Sequence, residues 1–306
     1  MLQANAVLKG GGVKGIALTG ALAVAEEQGW IWHSVAGTSA GAITAALLAA
    51  GYTAPEVHTI INDLDFNDFK ERGSIIPGMS VLRKEGMYKG EYVIALMDRL
   101  LGQKLGKAAV TFRDLPVQLR VVSTDLTHKR ELVFPDDLAG APYNLPDPQS
   151  FLVSHAVRAS MSIPLFFEPY ELTLPSGTAT LVDGGMLSNY PIGLFNPGRG
   201  AAAQVPTFGL FLQAPADGPT EPTGSLGEFL HALVTTTLEG RDNRDLQDQT
   251  YARSIFIDTG DYTTTEFDID QAGKDWLYQS GRKAAAAFFA DPAVQEWLGQ
   301  FEQVTR

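Results

Sequence analysis

The chain has 306 residues, of which 45% are hydrophobic, and this is enough to bury the core of one large α/β domain. Its formal net charge is −12 and its sequence pI is about 4.8, so we expect no nucleic-acid binding, which needs clustered basic residues. It contains no cysteine, which excludes disulfides, thiolate metal sites and a cysteine nucleophile.

The amino-terminal residues carry neither a basic region nor a long apolar core. We therefore expect no signal peptide and a cytoplasmic protein, with leaderless export still open. The sequence holds no run of about 18 apolar residues, so no membrane-spanning helix is expected. The negative charge gives no long-range attraction to an anionic membrane, so any lipid contact must be local and apolar.

Residues 6–62 predict alternating strands and helices, and Gly29 and Gly51 end the first two helices. The predicted strands are Ala6–Leu8 and Trp30–Ala36. The predicted helices are Lys14–Gln28, Ala40–Ala50 and one opened by Pro55 that continues to Asn62. This order predicts a parallel sheet with helices on its faces.

The rest of the chain is less regular. Residues 66–83 predict a loop or flap near the site, and the Pro/Gly-rich residues 214–224 predict an exposed, mobile loop. The later predicted strands are Val117–Ser123, Glu131–Phe134, Tyr170–Leu174, Thr178–Val182, Thr207–Leu212 and Ile255–Asp258. The later predicted helices are Glu91–Leu101, Ser150–Arg158, Leu226–Gln249, Gln271–Ala290 and Val294–Phe301. No repeat or domain-splitting linker is found, so we predict one domain over residues 1–306.

Ser39 is the centre of a G-x-S-x-G pentapeptide, Gly37-Thr38-Ser39-Ala40-Gly41, placed between a predicted strand and a predicted helix. A serine on such a sharp turn exposes its hydroxyl above the sheet, and the small flanking residues Gly37 and Gly41 let the backbone turn. This setting favours a nucleophilic serine. The alternative is that Ser39 only caps the following helix.

A second glycine cluster, Gly10-Gly11-Gly12-Val13-Lys14-Gly15, also lies at a predicted strand-to-helix junction. Its backbone N–H groups could stabilise an oxyanion, with electrostatic help from Lys14. The cluster fits G-x-G-x-x-G as well, but the next strand ends without the acidic residue that a dinucleotide site needs. The spacing of a phosphate-binding P-loop fails too, because Ile16 stands where lysine is required.

A serine nucleophile needs a base. The chain has five histidines, and none is placed to act as that base; they are His33, His58, His128, His155 and His231. Asp183 ends an apolar predicted strand, where α/β proteins bind ligands, and Gly184 and Gly185 let the backbone turn away. A buried carboxylate needs a partner, and desolvation raises its pKa toward that of a base. The alternative is an ordinary Asp-Gly turn.

The three motifs in this order resemble those of the patatin-like phospholipases. Further segments agree with the same family, and they are Thr111-Phe112-Arg113-Asp114-Leu115, Arg158-Ala159-Ser160-Met161-Ser162-Ile163-Pro164, Phe166-Phe167 and Asn189-Tyr190-Pro191. The resemblance covers roughly residues 5–215, and no motif after about residue 224 matches, so residues 225–306 are expected to extend the same domain. Lys9 and Lys14 depart from the family, which often has Asp and Arg there.

The resemblance implies a three-layer α/β/α sandwich around a mostly parallel central sheet. It also implies a lipid acyl hydrolase without a metal or cofactor, with Ser39 as nucleophile and Asp183 as base. Gly10, Gly11 and Gly12 fall on its oxyanion loop. The expected substrate is a phospholipid or another fatty-acyl ester, reached by peripheral contact with a membrane or micelle. A non-catalytic or signal-activated module, an unknown activating partner, and acyl transfer to an acceptor other than water stay open.

Overall fold

The fold is built on one mixed sheet. In the computed structural model, the described residues are 2–70, 88–174, 176–196, 205–215, 222–240 and 252–302. Within these residues the strands are β1 Leu2–Leu8, β2 Trp30–Thr38, β3 Gln118–Asp125, β4 Arg130–Phe134, β5 Tyr170–Leu174, β6 Gly177–Asp183, β7 Thr207–Gln213 and β8 Ser254–Asp258.

The sheet has a parallel centre and an antiparallel edge. Its strand order is β5-β6-β3-β2-β1-β7-β8, and β4 pairs with β3 beside this path. The pairings among β3, β2, β1, β7 and β8 are parallel, whereas β4, β6 and β5 join by antiparallel pairings. The carboxyl ends of β1 and β2 therefore meet at one edge, where Leu8 is paired with Gly37.

Helices cover the sheet. They are α1 Ile16–Glu27, α2 Ala40–Ala49, α3 Ala54–Asn62, α4 Glu91–Leu105, α5 Val153–Ser160, α6 Gly185–Ser188, α7 Leu226–Gly240, α8 Gln271–Ala290 and α9 Pro292–Glu302. On β1, Leu8 packs into the large core with α1 and α2. Its neighbour Val7 points to the opposite face and packs with Tyr190 and Phe195, because successive strand residues face opposite sides.

This architecture confirms the predicted α/β class with a central sheet flanked by helices. The predicted helix over 150–158 begins instead at Val153, because a 3-10 turn over Pro148–Ser150 precedes it. The predicted helix from Leu226 is described as far as Gly240. Of the predicted loops, residues 71–83 and 216–221 lie outside the described residues.

The carboxyl-terminal part joins the same sheet, since β8 pairs in parallel with β7. This supports the prediction of one domain over 1–306, which stays a prediction. Among the helices in the described part of the chain, none is long and apolar enough to cross a membrane.

The helices α1 and α8 cross at very close range through two glycines. A Cβ on Gly20 would lie 2.0 Å from the carbonyl oxygen of Tyr278, and one on Gly281 would lie 1.9 Å from that of Ala17. Real Cβ atoms do not approach carbonyl oxygens so closely, so only glycine allows the two backbones to touch.

We expect Gly281→Ala to lower the free energy of unfolding by about 1–3 kcal/mol, because the added methyl group forces the helices apart. Gly299→Ala is the matched control, since a Cβ there meets no atom within 4 Å and alanine favours the helix. Urea unfolding of both variants measures the difference. Equal stability of the two variants would contradict the close crossing.

Candidate active site

Ser39 lies in a sharp turn between β2 and α2. Its φ is 54°, a left-handed conformation that residues with a Cβ rarely adopt. The turn is closed by two glycines: a Cβ on Gly37 would lie 2.2 Å from the carbonyl oxygen of Gly41, and one on Gly41 would lie 2.4 Å from that of Leu8. Backbone strain of this kind is concentrated at functional sites. Ser39 is only 4% exposed, so the expected exposed hydroxyl is not found, and the residue lines a small cavity instead.

A buried hydroxyl holds this turn in place. The Ser39 N–H donates to Ser160 Oγ at 2.9 Å, and Ser160 Oγ donates to the carbonyl oxygen of Val122 at 2.5 Å. Ser160 is the last residue of α5, and Val122 belongs to β3. One side chain thus ties the strained turn to a helix and a strand distant in sequence.

Asp183 ends β6, and its side chain is fully buried. Its Oδ1 accepts a hydrogen bond from the Gly185 N–H at 2.8 Å. Its Oδ2 is buried with no hydrogen-bond partner in the described part of the chain. Burial raises the pKa of this carboxyl group to about 7, while the Ser39 side chain and the Gly185 N–H lower that pKa by smaller amounts. The carboxyl group can therefore exchange a proton near neutral pH.

The first glycine cluster faces Ser39. A Cβ on Gly10 would lie 3.1 Å from the Ser39 Cβ. The Gly10 N–H donates to the carbonyl oxygen of Asn189 at 3.1 Å and is therefore already used. The N–H groups of Gly11 and Gly12 make no hydrogen bond to the described residues. They are the two candidates in this loop for stabilising an oxyanion.

The glycine loop is anchored on both sides. On one side, the Val13 N–H donates to the carbonyl oxygen of Thr264 at 3.2 Å. Gly12 has a φ of 55°, and a Cβ there would lie 1.9 Å from the same oxygen, so no larger residue fits. On the other side, Asn189, whose carbonyl oxygen binds the Gly10 N–H, donates from Nδ2 to the carbonyl oxygen of Leu238 at 2.7 Å. This hydrogen bond links the glycine loop to α7 through Asn189.

Two lysines of the glycine loop are buried. Lys9 Nζ donates to the carbonyl oxygen of Leu212 and lies 4.0 Å from the centre of the Phe211 ring. Lys14 is 6% exposed and lines the cavity at Ser39. A positive charge so little exposed to bulk water acts strongly on charge that develops nearby.

Ser39 and Asp183 line one small cavity with Gly10, Gly11 and Lys14. Its volume is about 20 Å³, room for roughly one water molecule. The side chains of Leu212, Leu238 and Thr264 enclose it from the other sides. An ester group can enter only if one of these groups moves.

The structure thus places Ser39, Asp183 and the glycine loop around one cavity, and their catalytic roles stay predictions. Gly12, Gly37, Gly41, Gly184 and Gly185 shape the surrounding backbone without being among the residues that line the cavity. No histidine in the described part of the chain lines it either. Sequence reasoning gave no role to Ser160, Asn189 or Leu238. The first two lie in segments that carry the family resemblance, whereas nothing in the sequence marks Leu238.

We expect Asp183→Asn to stabilise the protein, and increasingly so at higher pH. The folded pKa of about 7 lies above the unfolded value of 3.8, so the cost of burying the charge is fully present above pH 7 and is lost as the pH falls toward 4. Asparagine avoids this cost, and its advantage should grow by roughly 3 kcal/mol between about pH 5 and pH 8. Urea unfolding at several pH values measures the difference in free energy of unfolding between this variant and the wild type. A difference that does not change with pH would contradict the raised pKa of Asp183.

Comparison with known proteins identifies the family of the chain. The sequence model of the patatin-like phospholipase family matches residues 6–196. The uncharacterized protein YqhO of Bacillus subtilis (strain 168) is 39% identical over 293 residues, which are 93% of this chain and 97% of that protein.

Two solved structures share the fold. VipD from Legionella pneumophila aligns with a TM-score of 0.56 at 17% identity, covering 93% of this chain and 66% of VipD. The type III effector protein ExoU aligns with a TM-score of 0.53 at 17% identity, covering 99% of this chain and 54% of ExoU. At this identity the likeness concerns the fold alone. The match over residues 6–196, which is most of the chain, shows that the chain belongs to the patatin-like phospholipase family.

Proposed function

We propose that the protein hydrolyses lipid acyl esters through a Ser39–Asp183 dyad and an acyl-serine intermediate. Membership of its family supports lipid hydrolase activity. The observation that carries the finer proposal is that a serine in a strained turn and a fully buried carboxyl group line the same small cavity. Burial there raises the pKa of Asp183 to about 7, which suits a general base.

The mechanism follows from these groups. Asp183 Oδ2 takes the proton of Ser39 Oγ as that oxygen attacks the ester carbonyl. The Gly11 and Gly12 N–H groups stabilise the oxyanion of the tetrahedral intermediate, with the positive charge of Lys14 close by. The intermediate collapses, the C–O bond to the alcohol breaks, and Asp183 returns the proton to the leaving alkoxide. Asp183 then takes a proton from water as the water oxygen attacks the acyl-serine carbonyl. The second tetrahedral intermediate breaks its C–O bond to Ser39 Oγ, Asp183 returns the proton to that oxygen, and the fatty acid leaves.

We expect Ser39→Ala and Asp183→Asn each to lower kcat/KM for a p-nitrophenyl ester by about a thousandfold or more without loss of folding, because each removes one half of the dyad. Ser154→Ala is the matched control, since Ser154 is a buried serine whose Oγ makes no hydrogen bond in the described structure. Its activity should equal that of the wild type. Near-normal turnover by either dyad variant would refute the mechanism.

Contact with a lipid surface belongs to the same proposal. The three most exposed large apolar side chains in the described structure are Leu226, Phe229 and Leu233, at 63%, 52% and 54% exposure. Their spacing places them on one face of α7, the helix whose other face includes Leu238 at the active site. An apolar face beside a lipid-hydrolysing site supports attachment to the acyl region of a membrane or micelle.

We expect the double variant Phe229→Ser/Leu233→Ser to lower hydrolysis of phospholipid in uncharged vesicles by about tenfold, because it removes apolar surface from the contact. Hydrolysis of a soluble short-chain ester should not change. Ile31→Ser is the matched control, since Ile31 is 38% exposed and lies at the amino end of β2, the edge of the sheet opposite to Ser39. An equal effect of the control, or a loss on both substrates, would contradict a lipid-facing α7.

An enzyme switched on by a partner or signal is a second candidate, favoured by the closure of the cavity by Leu238 and Thr264. Labelling of Ser39 by a fluorophosphonate probe separates the two: an open site reacts at once, and a switched site reacts only after activation. Acyl transfer to an alcohol also proceeds through an acyl-serine, and product analysis with added alcohol distinguishes it from hydrolysis.

A further inference from the structure

A second, much larger cavity lies between the amino-terminal half of α7 and the loop that follows α5. Its volume is about 420 Å³, which is in the range of small-molecule binding pockets. Its walls include Tyr88, Leu165 and Phe166 on one side and Gly227, Glu228 and His231 of α7 on the other. The cavity at Ser39, by contrast, has no space for the alkyl part of an ester.

Two segments lead from the active site to this larger cavity. In the loop after α5, Ile163 lines the cavity at Ser39, and Leu165 lies two residues further on in the wall of the larger cavity. On α7, Leu238 lines the first cavity and His231 the second, and these positions lie about 10 Å apart along the helix axis. Both cavities therefore lie along the same face of α7.

The wall of the larger cavity suits an alkyl chain. Apolar and aromatic groups form most of it, and the Phe166 ring packs 5.6 Å from the His231 ring and 6.5 Å from that of Phe267. No lysine or arginine of the described residues lines it. The one carboxylate among its described wall residues, on Glu228, accepts a hydrogen bond from the Ser225 N–H at 2.8 Å at the start of α7. Among the described wall residues, an anionic lipid head group would meet no lysine or arginine, whereas a hydrocarbon chain needs no charged partner.

The backbone conformation of Leu165 also indicates that this wall has a defined structure. Its φ is 74°, one of four positive φ values at residues other than glycine in the described chain. Another of the four belongs to Ser39 itself. Such strain persists only where the surroundings hold it in place, and it accumulates around binding sites.

We propose that this cavity holds the distal part of the substrate's acyl chain, so that it selects esters of medium and long chains over short ones. The proposal rests on the proposed function. The carbonyl carbon of the ester is at Ser39, the first carbons of the chain pass between Ile163 and Leu238, and the rest of the chain lies against Phe166 and the inner face of α7. A butyryl chain ends before the cavity, and a dodecanoyl chain reaches into it.

Gly227 offers a way to fill the cavity without disturbing the fold. It lies on the same face of α7 as His231 and Leu238, at spacings of four and eleven residues. A Cβ on Gly227 would meet no atom within 4 Å. Gly227→Ala and Gly227→Leu therefore reduce the cavity in two steps, while both residues also favour the helix. Gly299→Leu in α9 is the matched control, because a Cβ there also meets no atom within 4 Å.

The experiment measures kcat/KM of the full chain for p-nitrophenyl butyrate and p-nitrophenyl laurate. We expect Gly227→Leu to lower the laurate-to-butyrate ratio by about tenfold, with butyrate turnover unchanged, and Gly227→Ala to have a smaller effect in the same direction. Gly299→Leu should leave both substrates unchanged. Calorimetric binding of dodecanoate to the same variants gives a readout that does not need turnover, and only the Gly227 variants should bind more weakly.

An unchanged ratio and unchanged dodecanoate binding in Gly227→Leu would overturn the proposal. So would an equal loss on both esters, because it would place the effect at the dyad. Failure of the proposed function is distinguishable: the wild type would then hydrolyse neither ester, or Ser39→Ala would retain activity. In that case dodecanoate binding alone decides whether the cavity holds an acyl chain.

Discussion

The amino end of α2 presses against the carboxyl end of β1, and the site depends on this contact. At Gly41 the two backbones are so close that a Cβ would lie 2.4 Å from the carbonyl oxygen of Leu8. The turn before α2 must therefore be tight, which forces Ser39 to a φ of 54°. The same approach brings the loop after β1 beside the serine. Ser39 and the glycine loop are thus positioned by one interaction between two secondary-structure elements.

Helix α7 forms part of the environment of Ser39 and the glycine loop. Leu238 closes the cavity at Ser39, and its carbonyl oxygen accepts a hydrogen bond from Asn189, whose own carbonyl oxygen accepts the Gly10 N–H. The glycine loop and the helix are therefore connected through a single residue. The opposite face of α7 presents Leu226, Phe229 and Leu233 to the outside. A helix that is apolar on both faces needs an apolar environment on each, and this is the physical basis for expecting a lipid at α7.

Much of this could be predicted from the sequence, because the serine turn and the glycine loop are local features. Glycines at fixed spacing report backbone geometry directly, and Asp183 ends an apolar strand. Ser160 could not be recognised in the same way, because its hydrogen bond to Ser39 joins residues 121 positions apart. The antiparallel pairing of β6 with β3, which places Asp183 opposite Ser123, also depends on contacts that no local pattern encodes. The role of Leu238 is of the same kind, since an apolar helix residue gives no sign of what it covers.

The close crossing of α1 and α8 has a consequence for folding during synthesis. Glycines in both helices meet the partner's backbone, and Thr264, just before α8, holds the Val13 N–H of the glycine loop. The first strand, loop and helix leave the ribosome long before the residues that cover them. A nascent chain that lacks α8 leaves the small-residue face of α1 exposed to water, and we expect the glycine loop to gain its contact with Thr264 only after that distant segment is synthesised.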